Sequence, residues 1–126
     1  MGWDIGAQGL RIVLDASVPD LVRQYLGDDV RRFLADQGLT VDDVSAWISH
    51  PGGPKVIEAI EDELGLGPDA LALTWQSLAE VGNLSSASVL HVLADTLDRR
   101  TAAAGEYGLL LAMGPGFCSE LVLLQW

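Results

Sequence analysis

Val44-Ser45-Ala46-Trp47-Ile48-Ser49-His50-Pro51-Gly52-Gly53-Pro54-Lys55 is the stretch whose reading decides the fold. Val44 to Ser49 reads as a short strand with Val, Trp and Ile as its large apolar residues. Two prolines and two glycines in Pro51–Pro54 rule out regular structure there. Helical spacing then takes over from Lys55 to about Leu64, with Val56, Ile57, Ile60 and Leu64 on one side. A strand that runs into a glycine-rich loop and then a helix is a building unit of α/β layers.

Working outward, Gly9 to Leu14 reads as another strand, followed by a turn over Asp15 to Pro19. Pro19-Asp20 suits the first turn of a helix running to about Ala35. Val22, Tyr25, Leu26, Val30, Phe33 and Leu34 fall on one side of it, and Arg23, Asp28, Arg31 and Arg32 mainly on the other. Beyond the break at Gly65–Pro68, a helix is expected from Asp69 to about Glu80, with Leu71, Trp75 and Leu78 as its apolar face. Gly82-Asn83 interrupt it, and a helix resumes from Leu84 to about Leu97. Its small-residue start, Leu84-Ser85-Ser86-Ala87-Ser88, implies burial in a crowded place. Residues 98–106 read as a mobile surface loop. Tyr107–Met113 and Phe117–Trp126 read as strands joined by Gly114-Pro115-Gly116, the residue order of a type II turn and so of a hairpin. The order predicts an α/β layer with a mostly parallel, mixed sheet of five or fewer strands, covering helices and a C-terminal β-hairpin.

The 126 residues suffice for one domain, 1–126, with one core. A 49% hydrophobic share is high for so short a chain, and the mean hydropathy is positive. Such a composition suits strands buried on both faces, or a face that packs on something absent from the chain. The net charge of −11 repels phosphate backbones and anionic headgroups, so neither nucleic acid nor a membrane surface is expected as a partner. No apolar run is long enough to span a bilayer, and the start lacks a signal peptide's basic stretch and apolar core. Met1-Gly2 is not followed by the Ser or Thr at position 6 that myristoylation needs. A single Cys excludes an intramolecular disulfide, and a cytoplasmic protein is expected.

His50 sits where a strand gives way to a glycine-rich loop, the usual place for functional groups in open α/β sheets. A catalytic imidazole and a structural loop histidine both fit. Asn83 is expected to open a helix, where its amide can serve a developing oxyanion or simply cap the helix. Cys118, the lone thiol, has no basic sequence neighbour or following helix start to lower its pKa, and reads as a small buried hydrophobe. His91 lies in an apolar helical stretch and reads as a packing or helix-surface residue. Two separated histidines offer no metal-ligand spacing, and no dinucleotide or P-loop fingerprint occurs.

Taken in order, three of these segments carry a resemblance. Ile48-Ser49-His50-Pro51-Gly52-Gly53-Pro54-Lys55 resembles the histidine loop of type III polyketide synthases, the chalcone and stilbene synthase family. Gly82-Asn83-Leu84-Ser85-Ser86-Ala87-Ser88-Val89 resembles that family's asparagine segment, and Gly114-Pro115-Gly116-Phe117 its glycine-proline-glycine loop. Met1-Gly2-Trp3-Asp4 and Gly9 to Pro19 resemble the start of its carboxyl-terminal domain, so the likeness covers nearly the whole chain. Within the family the chain is most similar to bacterial alkylpyrone and alkylresorcinol synthases.

The resemblance implies the C-terminal half of a thiolase-like fold, in which two similar α/β halves pack in alternating layers. It implies a Cys–His–Asn catalytic set with His50 and Asn83 present and the nucleophilic cysteine in an absent amino-terminal half. The implied reaction is decarboxylative condensation of an acyl-CoA starter with malonyl-CoA, the CoA thioesters being substrates and no cofactor or metal being needed. Ile12, Ser85 and Gly114, Pro115, Gly116 and Phe117 would shape the substrate pocket; Gly52, Gly53 and Lys55 would lie near the CoA, although Lys55 also reads as a solvated lysine starting a helix. The full enzyme would be a homodimer. Three readings follow: a fragment of a full synthase that is inactive alone, a subunit of a split enzyme, or a stand-alone thiolase-fold binding or scaffold module. An exposed apolar patch favours the first two, a well-solvated surface the third.

Overall fold

The computed structural model describes residues 2–13, 15–99 and 102–126. Its centre is a three-stranded sheet in the order β3 (Val44–Ser49), β4 (Tyr107–Gly114), β5 (Cys118–Gln125). β3 and β4 are parallel and β4 and β5 antiparallel, so the C-terminal hairpin and the mixed sheet are as expected. The sheet is covered on both faces, and the two-residue period of the strands divides the side chains between them. Trp47, Leu109 and Leu111 point into the larger core, with Val22, Leu26, Val30, Leu34, Ile57, Ile60 and Leu71. Ile48, Leu110, Leu124 and Trp126 join Val89 and Val92 on the other face. Gly108 has no room for a side chain, because a Cβ there would overlap the Trp126 ring.

The larger core is closed by one long helical stretch and by α3 (Pro54–Leu64). The stretch comprises α1 (Val18–Leu21), a π-helical turn over Val22–Leu26 and α2 (Gly27–Asp36). Val22, Leu26, Val30 and Leu34 are buried along it, as their spacing predicts, while Tyr25 is about half exposed. Arg31 fastens α2 to α3, donating to the Glu63 carbonyl at 2.7 Å and pairing with the Glu63 carboxylate at 3.5 Å. α4 (Ala72–Glu80) and α5 (Ala87–Arg99) complete the crossover, with α5 supplying the second face.

Several expectations need correction. Gly9–Val13 (β2) does not join the main sheet but pairs antiparallel with β1 (Gly2–Gly6), a strand absent from the sequence reading; Leu14, called part of that strand, lies outside the described residues. The main sheet therefore holds one parallel and one antiparallel pair rather than a parallel majority. α5 starts at Ala87, not Leu84, and Leu84, Ser85 and Ser86 are exposed rather than crowded. The segment after α5 is tied down. The Glu106 carboxylate accepts the Ala103 N–H at 2.8 Å, and the Trp126 N–H donates to the Glu106 carbonyl at 3.1 Å. Arg100 and Thr101, part of the expected mobile loop, lie outside the described residues.

The β1–β2 hairpin explains the apolar excess. Trp3 opposes Ile12 and Ile5 opposes Leu10, so all four share one face, while Asp4 and Arg11 pair across the other at 3.1 Å. Trp3, Ile5, Leu10 and Ile12 are 54%, 79%, 67% and 47% exposed, an apolar sheet face with nothing packed on it among the described residues. Leu90 and Leu97, on the outer side of α5, are likewise exposed.

The core assignment predicts that Ile57→Ala lowers the unfolding free energy by about 2–5 kcal/mol. Leu90→Ala should change it by less than about 0.5 kcal/mol. Denaturant melts of the two variants check the contrast.

Candidate active site

His50 is placed by the sheet. Its N–H donates to the Leu111 carbonyl at 3.0 Å, extending the β3–β4 pairing by one bond past the end of β3. Its carbonyl accepts the Gly52 N–H at 2.9 Å, which turns the chain sharply through Pro51. Every hydrogen bond found for His50 among the described residues uses a main-chain atom. Gly53 has φ 147° and ψ 163°, a region open essentially only to glycine, and its carbonyl accepts the N–H groups of Val56 and Ile57 as α3 begins. Lys55 stands exposed in the first turn of that helix.

α4 holds both parts of the site. Thr74, fully buried, donates its hydroxyl to the Ser49 carbonyl at 3.2 Å, directly before His50. The helix then ends at Gly82, whose φ of 82° supplies a left-handed cap, and the chain passes straight into Asn83. Thr74 was missed in the sequence, although a threonine between Leu71 and Leu78 on an apolar helix face must find a buried partner.

Contrary to expectation, Asn83 does not open a helix but closes a local turn. Its Oδ1 accepts the Ser85 N–H at 2.9 Å, and Ser85 is left-handed with φ 58°. Asn and Ser side chains compete in this way with helical hydrogen bonding, which is why α5 is delayed to Ala87. Nδ2 of Asn83 donates to the Gly52 carbonyl at 3.4 Å. The amide therefore touches the histidine loop, and residues far apart in sequence meet at one edge of the sheet. An amide nitrogen carries two donors, so this contact leaves one for another acceptor.

The glycine-proline-glycine turn lies at the same edge. β3 and β4 run parallel, so their carboxyl ends coincide, and Gly114 lies only roughly 10 Å along the strand from Leu111. The Phe117 N–H donates to the Gly114 carbonyl at 3.1 Å and Gly116 has φ 81°, as a type II turn requires. Phe117 is left-handed too, with φ 53°, and packs against the main core. Ser85 lies beside Asn83, whereas Ile12 stands half exposed on the separate hairpin.

Cys118 is exposed, contrary to expectation. β5 is the sheet's outer strand, and Ser119, Leu121 and Leu123 take the inward positions, leaving Cys118, Glu120 and Val122 facing out. Its thiol lies 3.7 Å from the Pro115 carbonyl. His91 is on the exposed side of α5. No group of three potential metal-ligating side chains occurs among the described residues.

Burial sets the charge state of His50. Desolvation holds its pKa below the ordinary 6.5, which favours the neutral imidazole.

The family model of the chalcone and stilbene synthases, C-terminal domain, matches residues 2–126. The chain belongs to the chalcone and stilbene synthase family. It is 59% identical, over its full 126 residues, to 1,3,6,8-tetrahydroxynaphthalene synthase of Streptomyces peucetius subsp. caesius and covers 33% of that protein. A protein of Bacillus subtilis named as a putative chalcone synthase is 40% identical over the same span and is covered to 34%. The chain spans about a third of the length of these relatives. The crystal structure of 1,3,6,8-tetrahydroxynaphthalene synthase from Streptomyces coelicolor A3(2), a bacterial type III polyketide synthase, superposes with a TM-score of 0.92 at 30% identity. That match covers 99% of this chain and 36% of the other. The chain thus matches the C-terminal domain of that family throughout, with the α/β architecture of half a thiolase-like fold. Its bacterial affinity is as the sequence implied, although the relative at 59% identity bears a product name other than alkylpyrone or alkylresorcinol.

The depressed His50 pKa has a fixed sign. The unfolded chain takes up the proton first as pH falls, so His50 costs nothing well above 6.5 and subtracts stability as pH drops through 6.5 and below. An NMR titration of the His50 ring should give a midpoint below 6.5; a midpoint at or above it contradicts the assignment.

Proposed function

We propose that this chain supplies the His–Asn half of a polyketide-forming active site whose nucleophilic cysteine lies on a part of the protein outside residues 1–126. The supporting observation is the Asn83 Nδ2 contact with the Gly52 carbonyl at 3.4 Å, which brings the amide beside the histidine loop at the carboxyl edge of the sheet. In the proposed reaction neutral His50 accepts the cysteine's proton, and the thiolate takes the acyl group of an acyl-CoA, releasing CoA. His50 and Asn83 then donate to the thioester oxygen of malonyl-CoA while CO2 leaves, stabilising the enolate. The enolate carbon attacks the cysteine-bound acyl carbon, the new C–C bond forms, and the cysteine sulfur departs as thiolate.

Gly114 to Phe117, Ser85 and Ile12 are proposed to wall the acyl pocket, Ile12 through closure of its hairpin against the rest of the protein. Gly52, Gly53 and Lys55 are proposed to meet the CoA moiety, with Lys55 in the first turn of α3 favouring an anionic group there. No cofactor or metal is needed, and a cytoplasmic homodimer with residues 1–126 as one domain completes the proposal. The exposed apolar faces of the hairpin and α5 favour a piece of a longer synthase, or a subunit of a split one, over a stand-alone binding module. The chain alone is expected to be inactive.

In the full-length protein His50→Gln should abolish condensation, and Asn83→Ala should lower kcat by about a hundredfold to a thousandfold, the cost of one oxyanion donor. Product formation from acyl-CoA and malonyl-CoA reads both. Retained activity in His50→Gln removes it from the mechanism.

A further inference from the structure

The Gly114–Phe117 turn is fastened to a particular part of the fold. The Phe117 ring lies 6.3 Å from that of Tyr25 with the planes tilted by 54°, the separation and tilt of an aromatic pair. Two residues further on, the Ser119 hydroxyl donates to the Asp29 carboxylate at 3.0 Å. Tyr25 and Asp29 are neighbours one turn apart on the stretch that contains the π-helical turn Val22–Leu26. Leu21, Tyr25, Asp29, Gly116 and Phe117 together line a surface hollow of about 360 Å³. The helix thus holds both ends of the turn's last segment, while the turn's first residue continues the strand that anchors His50.

Tyr25 does not have to be where it is for the sake of the core. Its neighbours Val22 and Leu26 are buried, whereas Tyr25 is 47% exposed and puts its ring on Phe117. A π-helical turn adds a residue's worth of rotation to the helix and is often found where a side chain must be aimed. Phe117, with its φ of 53°, is in a conformation that a bulky residue keeps only where the surroundings hold it. Tyr25 is the aromatic partner that holds it.

We infer that Tyr25 is a positioning residue for the acyl pocket: through Phe117 it sets where the Gly114–Phe117 turn stands and so which acyl-chain lengths the site accepts. The inference rests on the proposed role of that turn as a pocket wall. Tyr25 touches no reacting atom, so its removal alters the choice between substrates more than the chemical step.

The test uses the full-length protein, with Tyr25→Ala, Tyr25→Phe and the unaltered chain side by side. Hydrogen exchange followed by mass spectrometry reads the peptide carrying residues 114–119. In Tyr25→Ala its exchange should rise roughly threefold to tenfold, the loss of one aromatic pair, with Tyr25→Phe at the unaltered rate. The ratio of kcat/KM for short and long acyl-CoA starters should shift in Tyr25→Ala and return in Tyr25→Phe. Unchanged exchange in Tyr25→Ala overturns the contact, and changed exchange with an unmoved starter ratio overturns the role in selection. Absence of condensation by the unaltered protein would instead strike the proposed function, which keeps the two failures apart.

Discussion

Parallel strands cannot be joined by a tight turn, and the pairing of β3 with β4 therefore obliges residues 50–106 to cross over the sheet. That crossing carries α3 onto one face and α5 onto the other, so one strand pairing determines both cores. It also aligns the carboxyl ends of the two strands. The last bond of the ladder, from the His50 N–H to the Leu111 carbonyl, sits at that end and fixes the histidine's main chain. Were β4 to slip by one residue, every side chain would change faces and His50 would lose its anchor.

The site depends on the same pairing at one remove. α4 is buttressed on β3 through Thr74, and its left-handed end at Gly82 aims Asn83 back at the loop after β3. Burial at the sheet edge keeps the His50 imidazole neutral, the form that can take a proton from a thiol. Salt bridges contribute little here: those between Arg23, Arg31 and the acidic residues of α3 are exposed or half-exposed and trim the fit of helices already held by apolar contacts.

Much of this was legible in the sequence, for identifiable reasons. Val44–Ser49, the helix with Ile57, Ile60 and Leu64, and the Gly114-Pro115-Gly116 turn carry strong local patterns, and local patterns decide such elements. The errors lie where partners outside the local window decide. β1 has Gly at both ends and shows itself as a strand only through its cross-strand partners on β2. Asn83 read as a helix start because its competing turn with Ser85 needs a left-handed serine that no composition rule signals. Cys118 read as buried because no basic neighbour or helix start marks it as reactive, and only its outward position on the sheet's outer strand exposes the thiol. The order of His50, Asn83 and the glycine-proline-glycine turn suggested one site, but the Asn83–Gly52 contact is a property of the folded chain.

On the hairpin and on the outer side of α5 the exposed apolar surface is arranged as faces rather than scattered singly. The histidine–asparagine edge is proposed to work on malonyl and acyl thioesters when joined to the rest of the protein. The most direct measurement is CO2 release and product mass when the purified full-length protein meets malonyl-CoA and an acyl-CoA starter. CO2 release is expected together with a product heavier than the starter acyl group by whole two-carbon units. An intact malonyl-CoA pool with no extended product would contradict it.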